Sequence, residues 1–217
     1  KIDLSVITLN CDGLSTSYQA AISLVNKLRD HENHIAETGH PQSKVYRLLW
    51  DELNKLSGSV IIVLDEIDTL GDDDRILYSL PRAQAQDYVE DHVFPSIIGI
   101  SNDFKFREQL DPRVQDTLCE REIQFPPYDA NELANILESR AAVAIKEEGY
   151  DQAVIQLCAA LAARDSGSAR QALDLLRLAG EIAESNDADV ITEAEVEAAR
   201  AELEQERVEE GMRELTA

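Results

Sequence analysis

Chemistry first becomes possible in this chain where two adjacent acids follow a run of bulky apolar residues. Val60-Ile61-Ile62-Val63-Leu64 leads straight into Asp65-Glu66-Ile67-Asp68. A segment apolar at every position reads as a strand inside a parallel sheet covered by helices. In open α/β sheets, ligands bind beyond the carboxyl ends of the strands, so Asp65 and Glu66 would stand at such a place. Mg²⁺ takes hard oxygen ligands and keeps much of its water, so a single Asp is enough to hold it. A carboxylate next to it can orient or deprotonate an attacking water. The plainer alternative is an acidic loop in a protein that is acidic throughout.

Three further positions carry potential chemistry. Asn102 follows another short apolar run, Ile97-Ile98-Gly99-Ile100, and its amide could touch a phosphate or a water. It could equally cap the segment that begins at Asp103-Phe104. Arg113, in Asp111-Pro112-Arg113, could reach a neighbouring subunit's site, where its planar fork would meet phosphate oxygens. A surface ion pair is the simpler account. Arg170 stands in the first turn of a helix opened by Gly167-Ser168-Ala169, beside free backbone N–H groups that suit an anion. Alternatively, Ser168 caps that helix and Arg170 is merely solvated.

These residues need elements to hold them. Ser5–Leu9 reads as a strand. The segment from Ser17 to Leu28 has Ala20, Ala21, Leu24, Val25 and Leu28 at helical spacing. His31–Gln42 reads as a loop, and Val45, Leu49 and Leu53 mark a helix stopped near Gly58. Val60–Leu64 and Ile97–Ile100 read as buried strands, and Ile123–Phe125 as a short fourth one. The pattern predicts a helix over Ile76–Val93, with Pro81 as a possible bend. After Pro127 only helices are expected: Asp129 with Glu132, and Thr192 with Glu195, have the spacing of capping boxes. The expected organisation is an α/β part over 1–127 and an all-helical part over 128–217.

Composition narrows the class. The 217 residues hold 43 acids against 20 bases, only six of them Lys, for a net charge of −23. A hydrophobic fraction of 44% is ordinary for a globular chain. No apolar run approaches the ~20 residues that cross a bilayer. Cys11, Cys119 and Cys158 have neither metal-ligand nor disulfide spacing, so a reducing cytoplasm is expected. So acidic a surface argues against phosphate binding. The acids are spread along the chain, however, which also fits a salty cytoplasm, where they keep the surface hydrated and salt screens their repulsion.

As a set, the motifs resemble one family, and the similarity covers nearly the whole chain. Ile61–Asp68, Ile98-Gly99-Ile100-Ser101-Asn102-Asp103, Leu110-Asp111-Pro112-Arg113-Val114, Phe125-Pro126-Pro127-Tyr128-Asp129-Ala130, Ala159–Arg164 and Ala169–Arg177 are similar to stretches of the archaeal origin-recognition and cell-division-control initiators. These are AAA+ ATPases that mark replication origins. The resemblance implies an AAA+ (P-loop NTPase-like) parallel sheet followed by a helical lid. It implies ATP or ADP with Mg²⁺ in the intact protein, and the partners implied are origin double-stranded DNA and further initiator subunits or the replicative helicase. In its terms Asp65 and Glu66 match the Walker B acids, Asn102 sensor 1 and Arg170 sensor 2. Arg113 falls in the arginine-finger region, and Lys44 and Arg47 are the local cations near the family's DNA-contacting insertion.

There are departures. Ser168 stands where family members usually have Asp; both cap helices. The sequence contains no Gly-x-x-x-x-Gly-Lys-Ser/Thr, the loop that grips nucleotide phosphates, and the winged-helix domain is not expected within it. In the family the phosphate-loop strand lies between the strands matched by Ile97–Ile100 and Ile123–Phe125, so two sheet edges would lack a partner and invite self-association. A haloarchaeal replication initiator fragment, inactive by itself as an ATPase, is the expected identity. Another AAA+ subunit of clamp-loader type, or a degenerate non-catalytic protein that binds an intact initiator, are the alternatives.

Overall fold

The central strand forms where every position is apolar. In the computed structural model, which describes residues 3–118, 121–146 and 148–214, Gly58–Asp65 is strand β2. It lies between β1 (Leu4–Asn10) and β3 (Val93–Gly99). Both pairings are parallel, with Ile7 and Ile97 level with Ile62, and Asn10 level with Asp65. Gly58 opens β2 at φ +77°, where a Cβ would meet the Asp3 carbonyl oxygen at 2.3 Å, so no other residue fits without rearrangement. Cys119 lies outside the described residues.

The chain divides into two compact units, Lys1–Glu122 and Ile123–Ala217, each with its own core. In the first, α1 (Ser17–Leu28), α2 (Gln42–Leu53) and α3 (Arg75–Ser79) contribute buried side chains to a core shared with β2. Leu24, Leu49, Leu53, Ile62 and Leu64 are fully buried there. Burying each such side chain is worth about 1.5–3 kcal/mol. At the lower end of α2, Glu52 is also buried, held by Arg29 and Lys55 at 2.5 Å each. Burial would push its carboxyl up, but hydrogen bonds from Lys55 and Arg29 outweigh this and hold it below the usual range. Two short helices, α4 (Phe106–Gln109) and α5 (Pro112–Leu118), complete the unit.

The expected coverage of both sheet faces is corrected. Val60, Ile62 and Leu64 face the core, but the opposite face is open. Ile61 and Val63 are only half-buried, Val6 is 59% exposed, and Ile98 is 48% exposed. Leu4, Phe94 and Ile100 are exposed with them. β3 is therefore not a buried strand: its side chains alternate between the core and this open face.

Two further expectations fail. Ile76–Val93 is not one helix: α3 ends at Ser79 and turns follow to Asp87, whose φ is +55°. Pro81 has no N–H to continue the ladder, and its ring obstructs the preceding turn. Ile123–Phe125 is not a strand, and Ile123 and Phe125 are exposed. Three residues without a pairing strand make no ladder, so β propensity alone leaves them as coil.

In the second unit, α6 (Ala130–Ala144), α7 (Gln152–Asp165), α8 (Ala169–Ser185) and α9 (Glu193–Glu214) pack around Leu137, Ile155, Cys158, Leu176 and Val196. The capping box is present at α6: the Asp129 carboxylate accepts from Asn131 and Glu132 N–H, and Glu132 accepts from Asp129 N–H at 3.0 Å. At α9, Glu195 accepts from both the N–H and the hydroxyl of Thr192. Among the described residues no helix is long and apolar enough to cross a membrane.

An open apolar sheet face should bind a hydrophobic dye. Replacing Val6 and Ile98 together with Thr, which keeps β-branching, should lower anilinonaphthalene sulfonate fluorescence several-fold with the far-ultraviolet circular dichroism unchanged. Equal dye binding by the two proteins would contradict the open face.

Candidate functional site

The acid pair sits at the carboxyl end of the central strand, and main-chain bonds tie it to both neighbours. Asp65 ends β2, and its carbonyl accepts from Cys11 N–H at 2.8 Å, just beyond β1. On the other side Ile100 N–H donates to Leu64 O at 2.9 Å, and Ile67 N–H donates to Ile100 O at 3.0 Å. Between these ties Glu66 takes a left-handed conformation, φ 54° and ψ 43°. A non-glycine residue there costs about 1 kcal/mol or more and persists only when the surroundings impose it. Glu66 N–H donates to Asp65 Oδ1 at 3.0 Å. The Thr69 hydroxyl lies 2.8 Å from Cys11 O and 2.7 Å from Glu66 O, bridging the acid loop to the end of β1.

Asp68, in the short 3₁₀ turn Ile67–Leu70, has a buried Oδ1 without a hydrogen-bond partner. The negative field of this loop is felt by the buried Cys11 thiol. Burial first, then Asp65, Asp68 and Glu66, push its pKa up from 9.0 to about 11. A divalent cation would relieve that field. Among the described residues no three potential ligands are grouped closely enough to cage a metal. The arrangement suits a cation that takes one or two carboxylates and completes its shell from phosphate and water, as Mg²⁺ does. Hard oxygen donors at a strand end are of the type that Mg²⁺ takes.

Asn102 lies two residues beyond Ile100 and so at the same end of the sheet. Its alternative role as a cap is filled by its neighbours. Ser101 Oγ accepts from Asp103 N–H at 2.9 Å, and Asp103 Oδ1 accepts from Lys105 N–H at 2.8 Å. Asn102 is exposed and its amide has no such duty in the turn. Arg113 is the second residue of α5. Its N–H donates to Asp111 Oδ1 at 2.8 Å, while its guanidinium is 86% exposed and only within 3.9 Å of the same carboxylate. So loose a surface pair is worth well under ~1 kcal/mol, which leaves the side chain available.

Arg170 belongs to the second unit. It is the second residue of α8, exposed, with Ser168 as N-cap accepting from Gln171 N–H at 3.4 Å. Gly167 turns the chain into this helix at φ +65°, where a Cβ would strike Pro127 Cβ at 2.5 Å and Tyr128 O at 2.8 Å. Tyr128 N–H donates to Gly167 O at 3.0 Å, anchoring the start of α8 to the segment before α6. Lys44 and Arg47 lie in the first two turns of α2, both exposed, with Lys44 Nζ 3.4 Å from His40 Nδ1. The structure thus gathers Asp65, Glu66 and Asn102 at one sheet end. Arg113, Lys44 and Arg47 are elsewhere in the same unit, and Arg170 is in the other. Sequence reasoning assigned no role to Asp68, Thr69 or Cys11; the Asp-Glu-x-Asp spacing was the signal available for the first.

Residues 134–201 match the family model of the Cdc6 AAA+ ATPase-type lid domain. The structure of the Aeropyrum pernix ORC1 protein in complex with DNA is similar over 98% of this chain and 54% of its own, at TM-score 0.82 and 40% identity. The fold, a parallel sheet with flanking helices followed by a helical lid, is that of the AAA+ class. Among curated relatives, ORC1-type DNA replication protein 15 of Haloarcula marismortui is 63% identical over 99% of this chain. ORC1-type DNA replication protein 10 of Halobacterium salinarum is 65% identical over the same share. The chain belongs to this origin-recognition and cell-division-control family. It spans about half the length of the curated relatives it matches, 52% of each of these two. A Thermotoga maritima RuvB motor shares the fold alone, at TM-score 0.58 and 16% identity.

Burial holds both described thiols neutral: Cys11 is pushed up to about 11 and Cys158, in the lid core, to about 12. Because thiolate is the reacting form, neither should be labelled by a disulfide reagent at pH 8 while the chain is folded, and both should react on unfolding. The folded state holds these protons when the unfolded one has lost them, so stability should fall as pH rises from 9 towards 11. Rapid labelling of Cys11 in the folded chain would contradict the buried, negatively surrounded position.

Proposed function

We propose that this chain supplies the Walker B, sensor and lid portion of a replication initiator that binds origin double-stranded DNA and ATP. The observation that carries the reading is the acid pair held at the end of β2, with Asn102 just beyond the same end of the neighbouring strand. The lid-type unit, with an arginine in the first turn of α8, supports it. In this reading Asp65 holds Mg²⁺, and Glu66 orients the attacking water. Asn102 senses the transferred phosphate, and Arg170 reports it to the lid. Mg²⁺, when bound, neutralises charge on the phosphate oxygens. Arg113 reaches towards a neighbouring subunit's nucleotide, and Lys44 and Arg47 meet DNA phosphates. ATP and ADP would set the lid's position and hence the contacts with other initiator subunits or the replicative helicase. The open sheet face would favour self-association of the isolated chain. The acidic composition and the haloarchaeal relatives support a salt-rich cytoplasm as the working environment.

A phosphate-gripping loop contributes most of the affinity for a triphosphate. The 217 residues, which contain none, should therefore show no Mg²⁺-dependent ATP affinity tighter than about millimolar, near −4 kcal/mol, and background hydrolysis. Calorimetry in molar KCl measures this, and micromolar Mg²⁺-dependent binding would contradict it. In a full-length protein that carries this chain, Glu66→Gln should reduce ATP turnover at least about 100-fold while ATP binding persists. Footprinting should then give protection on origin repeats over other DNA. Unchanged turnover would remove Glu66 from its role.

A further inference from the structure

A cavity of about 510 Å³ opens between α2 and the segment from α3 to Tyr88. Its lining includes Tyr46, Arg47, Trp50, Arg75 and Tyr88, together with Gln42 and Ser43 in the first turn of α2. None of the lining residues belongs to the acid loop, and none is an Asp or Glu, in a chain that has 43 acids. The lining of the cavity thus carries two guanidinium groups and no carboxylate. Neither guanidinium has a carboxylate partner among the described ion pairs; Arg75 donates instead to Gln42 Oε1, across the cavity wall.

The walls are as selective as the charge. Trp50, the chain's one tryptophan, stacks against Tyr88 with centroids 5.5 Å apart and planes 15° from parallel. Tyr46 packs on Trp50 as well, with centroids 5.9 Å apart. Trp50 is buried, whereas Tyr88 remains 45% exposed, so a ring surface is left for a further flat group. At the α2 end, Pro41 provides no side-chain cap for the helix, so its first N–H groups and its dipole add to the positive character of this end. Asp73, outside the lining, accepts Ser17 N–H at 2.9 Å and keeps its charge, which acts on Tyr46 against that of Arg75.

We propose that this cavity is a nucleotide-binding site separate from the Walker B acids, in which a base stacks at Tyr88 and its phosphate is held by Arg47 and Arg75. The volume lies within the range of small-ligand pockets. Stacking on an aromatic ring combined with arginine–phosphate contact is the means by which single nucleotides, free or within an unpaired strand, are held without sequence preference. No divalent cation is needed. In molar salt the screening length shrinks to about 3 Å, which removes the repulsion from the net charge of −23 but leaves contact-range stacking and guanidinium–phosphate bonds.

Because Trp50 is the only tryptophan, fluorescence excited at its red edge reports this cavity alone. The full chain in molar KCl without divalent cations is titrated with adenosine monophosphate, adenosine, a short oligothymidylate, the corresponding duplex and inorganic phosphate. Saturable quenching is expected with the monophosphate, the single strand or both, and which of these saturates identifies the source of the nucleotide. Adenosine and inorganic phosphate should each be at least tenfold weaker. Arg47→Ala and Arg75→Ala, both exposed positions, should each weaken binding at least tenfold, while Asp65→Asn should leave it unchanged, keeping the result independent of the proposed ATP chemistry. No saturable signal with any nucleotide, equal binding by the arginine variants, or a signal that follows phosphate or duplex alone would overturn the proposal.

Discussion

The site depends on one short chain of main-chain hydrogen bonds. Ile100 donates to Leu64, Ile67 donates to Ile100, and Cys11 donates to Asp65. Together they hold the end of β2 between its two neighbours after the regular ladder stops. Glu66 is thereby kept in a left-handed conformation that an isolated loop would relax out of. In the proposed role of Glu66, a carboxylate would have to be placed to within fractions of an ångström, and the backbone bonds would supply that placement with few side chains nearby. Asp65 stands at the end of β2 and Asn102 three residues beyond the end of β3, and the Thr69 hydroxyl ties the acid loop to Cys11 O.

Charge at first opposes the proposed function. A chain with 43 acids and 20 bases should repel nucleotides and DNA over long range. The structure resolves this locally. The acid loop concentrates negative charge where a divalent cation would neutralise it, and the buried Cys11 thiol registers that field. Elsewhere, Arg113 and Arg170 are exposed in the first turns of α5 and α8 and Arg47 is exposed in the second turn of α2. High salt erases the long-range repulsion and leaves these short-range arrangements intact.

Much of this was legible in the sequence wherever one element's own periodicity decided the outcome. The apolar positions of Ser17–Leu28 mark a helix whose bounds the structure repeats, and the spacing of Asp129 and Glu132 marks a cap that forms. The parallel strand was equally readable, because an all-apolar run of this length decides its own conformation. Features that depend on a partner were not readable. Among the described residues Ile123–Phe125 has strand-forming residues but no strand paired with it, and one face of β3 is left exposed. Pro81 was visible, yet whether it bends or ends a helix is decided by its surroundings. The left-handed Glu66 and the carboxylate-free cavity arise from contacts between segments distant in sequence, which no local pattern encodes.

Asp65, Asn102 and Arg170 are proposed to serve one nucleotide and its metal. Paramagnetic broadening by Mn²⁺–ATP at high-millimolar concentration, read by nuclear magnetic resonance at the Asn102 amide and the Arg170 guanidinium, tests it directly. The account predicts that both signals broaden together as Mn²⁺ is added, and that Asp65→Asn abolishes both effects. Broadening at Asn102 with Arg170 untouched, or at neither, would contradict it.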